Sequence, residues 1–211
     1  MILTGLLVLI IVVVTIVVVY FSDNKYTPIE APIPDSPPVI ENNYKGLCMF
    51  DIDGTLTMNT SDENEILVNY VLEKGYAVGI CTAGSVYNRN NLLSYDWMPR
   101  NLYDFMEGIN FVTFNNVASG ILAGKDGKQY YDQIGYLHHI NWGYKKGLAL
   151  EVTAYVVGVK DSEVIMFDND PFFIEGMRRY NPNYKVICVG EPCGGGELDM
   201  EKMRYAFSLW A

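Results

Sequence analysis

The sequence predicts an α/β protein built on a doubly wound, Rossmann-like parallel sheet, preceded by one membrane-spanning segment. Three observations predict it. Short runs that are apolar throughout, such as Gly46–Phe50, Tyr76–Cys81 and Val164–Phe167, alternate with stretches of helical periodicity. Strands of that kind are buried on both faces and belong to parallel sheets covered by helices. Several of the runs end directly in an aspartate or a threonine. Finally, residues 2–21 carry no charged side chain, and 17 of those 20 are apolar.

Taken from the N-terminus, residues 1–21 read as a transmembrane anchor. Twenty residues in a helix rise about 30 Å, the thickness of a bilayer's hydrocarbon core. A cleaved signal peptide is the competing reading, but the run is longer than an ordinary signal core and no Lys or Arg precedes it. Lys25 and Lys45 follow the run, which by the positive-inside tendency places the rest of the chain on the cytoplasmic side of a single-pass membrane protein. Residues 22–44 hold five of the nine prolines and read as a semi-rigid spacer, with Pro34-Asp35-Ser36-Pro37 as a conceivable PxxP ligand. The domain then spans 45–211. The whole net charge of −10 lies in residues 23–211, so nucleic acid is not an expected partner, whereas the apolar span makes a lipid bilayer one. One apolar span excludes a polytopic transporter, and 13% aromatic residues exclude a disordered chain.

Within the domain, Gly46–Phe50 is the first strand, and residues 62–74 form a helix capped by Ser61 or Asp62 and ended by Gly75. Tyr76–Cys81 and Phe111–Phe114 are further strands. A helix follows over Leu148–Val157, then the strand Val164–Phe167. Pro171 opens a helix to Tyr180, Val186–Val189 is the last strand, and a helix over about 198–209 closes the chain. Cys48 and Cys81 lie inside buried strands. Cys188 and Cys193 are expected as reduced thiols, with a pairing across the turn as the alternative.

In such a sheet, ligands bind beyond the carboxyl ends of the strands. The first strand runs into Asp51-Ile52-Asp53-Gly54-Thr55-Leu56-Thr57, the second into Thr82, and a later one into Asp168-Asn169-Asp170. Residues two apart in extended chain point the same way, so Asp51 and Asp53 can face one site. Aspartate and glycine after strands are also ordinary turn residues, and it is their ordered combination that points to chemistry.

The stretch Cys48-Met49-Phe50-Asp51-Ile52-Asp53-Gly54-Thr55-Leu56-Thr57 closely resembles the first motif of the haloacid dehalogenase-like superfamily. Thr82 resembles that family's second motif, Lys146 in Lys146-Gly147-Leu148-Ala149-Leu150 its third, and Ile165–Pro171 with Asp168 its fourth. The resemblance implies a phosphatase that hydrolyses a phosphate monoester through an aspartyl-phosphate. Asp51 would be the nucleophile and Asp53 the general acid and base. Thr82 and Lys146 would bind phosphate, and Asp51, Asp53 (through its carbonyl) and Asp168 would hold Mg²⁺. The second aspartate favours phosphatases and mutases over the family's dehalogenases and transport ATPases. Asn169 stands where a second acidic residue is frequent, Asp170 is a candidate to compensate, and Lys145 is a rival to Lys146. The alternatives are a catalytically inactive binding module and a phosphotransferase or mutase.

Substrate size is read from the segments between motifs. Leu56 and Tyr76 are too close for an inserted helical cap, and the 63 residues between Thr82 and Lys146 leave room for only a small lid, with the Lys125-Asp126-Gly127-Lys128 turn as its candidate place. A missing or minimal cap implies an open site. Tyr130, Tyr131, Tyr136 and Trp142 could line its entrance or simply pack, and His138 and His139 read as structural. Asn59-Thr60-Ser61 is a glycosylation sequon close to the first motif.

Overall fold

The computed structural model describes residues 43–108, 114–117, 121–122, 142–191 and 196–209. Six strands are present among them: β1 (Gly46–Phe50), β2 (Tyr76–Thr82), β3 (Phe114–Asn116), β4 (Ile121–Leu122), β5 (Val164–Asp168) and β6 (Lys185–Cys188). They form one sheet in the order β4-β3-β2-β1-β5-β6, parallel throughout except for the antiparallel edge strand β4. Five helices pack on it: α1 (Ser61–Glu73), α2 (Arg100–Gly108), α3 (Trp142–Val157), α4 (Pro171–Tyr180) and α5 (Met200–Ser208).

The apolar strands are buried on both faces, as their composition demands. Alternate residues of β1 serve opposite layers: Cys48 and Phe50 join α1, α2 and α5, while Leu47 and Met49 join α3 and α4. The chain winds outward from β1 through β2 and β3, then returns to place β5 on the other side of β1. The order therefore reverses between β1 and β5, and a crevice opens beyond their carboxyl ends. Directly beneath that crevice Phe50 and Phe167 stack with ring centroids 5.7 Å apart, which locks the two strands in register.

Several local readings are corrected. The cap of α1 is Thr60, whose hydroxyl accepts from the Glu63 amide while the Glu63 carboxylate accepts from the Thr60 amide. Helix α3 begins at Trp142 rather than Leu148, because Gly147 does not interrupt it: the Tyr180 ring lies where a Cβ on Gly147 would stand, 2.7 Å from Cγ. The third strand occupies Phe114–Asn116, while residues 111–113 of the expected strand lie outside the described residues. Cys188 is disulfide-bonded rather than reduced, whereas Cys48 and Cys81 are free.

The assignment as a single-pass membrane protein with a cytoplasmic domain is also corrected. Among the described residues no helix is long and apolar enough to cross a membrane, and the segment 1–21 that suggested one lies outside them. The same holds for the spacer up to residue 42, the turn at 125–128, Tyr130, Tyr131, Tyr136, His138 and His139. At the sequon, the Asn59 amide nitrogen that a glycan would occupy donates to the Leu198 carbonyl at 2.7 Å.

Asn64 ties the loop after β1 to the rest of the fold. It is fully buried on α1, and its amide donates to the carbonyls of Leu56 (2.9 Å) and Trp97 (2.8 Å). Replacing it with leucine of similar size removes the side-chain donor to the Trp97 carbonyl and leaves the Leu56 carbonyl with the Asn59 amide at 3.3 Å. Asn64→Leu is expected to cost about 2–4 kcal/mol, read as a lower urea midpoint at unchanged slope.

Candidate functional site

Three strand ends and one helix build the site. The Asp51 amide donates to the Phe167 carbonyl at 2.9 Å, so β1 stays paired with β5 up to the aspartate itself. The chain then turns sharply. Gly54 sits at φ +71°, a conformation that side chains rarely adopt, and a Cβ there would meet the Asn169 side chain at 2.1 Å. Its amide donates to Thr57 Oγ1 at 2.9 Å, which closes the loop on itself.

Asp168 ends β5 with no exposed surface. Its Oδ1 accepts from the Asp170 amide at 2.9 Å. The Asp170 carboxylate caps α4 by accepting from the amides of Phe172 (2.7 Å) and Phe173 (3.3 Å). Asn169 leans across to Gly54 and donates to the Glu191 carbonyl at 3.1 Å. The acidic turn is thus divided: Asp168 faces inward and Asp170 holds the helix start.

Lys146 rises from the first turns of α3 to meet both buried aspartates. Its Nζ lies 3.0 Å from Asp51 Oδ1 and 2.6 Å from Asp168 Oδ2. Exposure is 4% for Asp51 and 0% for Lys146 and Asp168, so water screens these charges little. The Phe173 ring closes over Nζ at 4.7 Å. Lys145 goes elsewhere, its ammonium resting over the Trp142 ring at 4.2 Å, so Lys146 is the lysine of the site.

Asp51, Asp53 and Thr82 line a single cleft of about 260 Å³ with Gly84 and Asn169. Thr82 ends β2 fully buried, and its hydroxyl oxygen accepts from the Gly84 amide at 3.1 Å. Asp53 is exposed, and its Oδ1 accepts a hydrogen bond from the Tyr87 hydroxyl. All five residues expected from the sequence therefore meet at one edge of the sheet. Tyr87, Phe173 and the Asn169 contact are additions. Nothing in the turn Ser85-Val86-Tyr87 marks the tyrosine, because its partner lies 34 residues away.

No family model, curated protein or solved structure matches the chain. The chemistry follows from the charges at hand. Burial disfavours the Lys146 ammonium, yet Asp51 and Asp168 overcome this and hold its pKa well above the ordinary lysine value. One ammonium cannot satisfy two carboxylates. Burial drives the Asp51 carboxyl up to about 7, the Lys146 charge offsets only part of that, and the Asp168 charge adds to it. The cluster thus carries an unbalanced negative charge that a proton or a bound cation would neutralise.

The donors are hard oxygens, which suit Mg²⁺ better than a thiophilic metal. Among the described residues no three His, Cys, Asp or Glu side chains group closely enough to hold a metal on their own. A divalent ion would therefore need backbone oxygen, water or a ligand phosphate beside the two carboxylates, an arrangement common for Mg²⁺. Cys81 is no rival nucleophile, since burial pushes its thiol up to about 12.

The raised Asp51 carboxyl gives a signed prediction. Between its ordinary 3.8 and about 7 the folded chain holds a proton that the unfolded chain has released. This group's contribution to stability therefore falls as pH rises across that window. Cation-free protein should show a carboxyl ¹³C titration of Asp51 near neutrality. Asp51→Asn should flatten the matching decline in urea midpoint.

Proposed function

We propose that the chain is a Mg²⁺-dependent phosphatase of the haloacid dehalogenase-like type, hydrolysing a phosphate monoester through an aspartyl-phosphate. One observation carries this reading. Asp51 and Asp168 converge on the Lys146 ammonium without solvent, at the point where strand order reverses, beside the buried Thr82 hydroxyl.

Asp51, the backbone carbonyl of Asp53, and Asp168 would hold the cation. When bound, it neutralises phosphate oxygens and holds the phosphorus in line. Lys146 keeps Asp51 oriented and offsets charge on the phosphoryl group. Thr82 donates its hydroxyl proton to a phosphoryl oxygen, its own oxygen already accepting from Gly84. An Asp51 carboxylate oxygen attacks phosphorus, and the bond to the leaving oxygen breaks. Asp53 gives that oxygen a proton, releasing an alcohol. The Asp53 carboxylate then takes a proton from water, whose oxygen attacks phosphorus and frees inorganic phosphate and Asp51.

The chain is assayed with an aryl phosphate and Mg²⁺. Hydrolysis is expected, with loss of activity on chelation. Asp51→Asn should lower kcat by about 10³-fold or more. Asp168→Asn should raise the Mg²⁺ concentration needed for half activity. Hydrolysis that survives Asp51→Asn would overturn the assignment. A second reading has its own support, because Asp170, the acidic residue that the turn after β5 brings to the cleft, is engaged as a helix cap, while Asp168 is fully buried against Lys146. A non-hydrolysing phosphate-binding module would show a Mg²⁺-dependent thermal shift with beryllofluoride and no turnover.

A further inference from the structure

Asp53 is the exposed member of the pair, yet a general acid must present its proton along one direction. The residue that governs this orientation comes from the loop after β2. Tyr87 is only 8% exposed, and its hydroxyl donates to Asp53 Oδ1.

Tyr87 is itself held on three sides. Its ring meets Tyr95 edge-on at 5.4 Å and Trp97 at 5.8 Å, and those two rings stack on each other at 5.3 Å. Its backbone carbonyl accepts from the buried Asn116 amide at 3.0 Å, which fastens the loop to the end of β3. Gly84 leaves the space for the approach. A Cβ there would stand 2.8 Å from the Tyr87 ring and 3.1 Å from Asp53 Oδ2. Burial, followed by the bond to Asp53, pushes the phenol's pKa well up, so Tyr87 remains a donor at neutral pH.

Resting on the phosphatase reading, we propose that Tyr87 is a positioning residue for the acid and base step. By occupying Oδ1 it fixes the carboxyl rotamer and leaves Oδ2 to carry the proton to the leaving oxygen and later to take one from water. No bond is made or broken at Tyr87. It touches neither phosphate nor leaving group and acts through Asp53 alone.

Leaving-group dependence separates this role from a merely structural one. Tyr87→Phe keeps the ring and its packing. It should lower kcat/KM on a glycerol phosphate, which reports only the steps through aspartyl-phosphate formation and whose alkoxide must be protonated, by about 10- to 100-fold. On 2,4-dinitrophenyl phosphate, whose leaving group needs no proton, kcat/KM should stay near that of the parent. In an Asp53→Asn background the second change should add nothing. Equal losses of kcat/KM on both esters, or an additive loss in that background, would overturn the role of Tyr87 and leave the phosphatase reading standing. A parent chain that turns over neither ester would overturn both.

Discussion

A single ammonium shared by two buried carboxylates sets the terms for the rest of the structure. Lys146, Asp51 and Asp168 sit in a site with almost no exposure, and their charges sum to one negative unit when all are ionised. Removing one partner from such a cluster leaves a buried charge uncompensated, which costs far more than a surface ion pair gains. The imbalance does not act as a stabilising device. It stores an affinity for positive charge beside a cleft that Asp51 lines together with Asp53 and Thr82.

The fold makes this unfavourable arrangement tolerable. Two fully apolar strands carry the aspartates, and the stacked Phe50 and Phe167 fix their spacing one residue below. Helix α3 delivers the lysine from one layer while α1, α2 and α5 seal the other. The loop after β1 then leaves the sheet at Gly54, where only a residue without Cβ leaves room for Asn169. Loops after three strands are thus packed against one another before any ligand arrives: Asn169 on Gly54, Tyr87 on Asp53, and Asn116 on Tyr87. Preorganisation of that kind reduces the rearrangement that the proposed reaction would need.

Much of this was legible in the sequence, for particular reasons. Gly46–Phe50, Tyr76–Thr82 and Val164–Asp168 are short, apolar and followed by polar turns, so a buried parallel strand was the natural reading of each. Asp51, Asp53, Thr82, Lys146 and Asp168 were legible because each ends a strand or stands in a motif. The start of α3 was not, since Gly147 imitates a helix boundary until Tyr180 is seen packed against it. Thr60 competes as a cap with its polar neighbours Ser61 and Asp62, and Glu63 three residues on decides for it by completing a capping box. Tyr87 depends on a contact across the fold, which local pattern does not encode, whereas the disulfide state of Cys188 is the alternative that the sequence leaves open. The apolar run at 2–21 satisfies the length rule for a span, yet no helix among the described residues is fit to cross a membrane.

The central claim is that the unbalanced carboxylate on Lys146 is a nucleophile. It is tested most directly by trapping the covalent intermediate. The chain and its Asp53→Asn variant, mixed with a labelled aryl phosphate and Mg²⁺, are quenched in acid within milliseconds, reduced with borohydride and mapped by mass spectrometry. Reduction at position 51, stronger in the variant because the second half-reaction lacks its base, is the expected result. Phosphate release by the parent chain with position 51 unmodified, or with the label on another residue, would contradict the account.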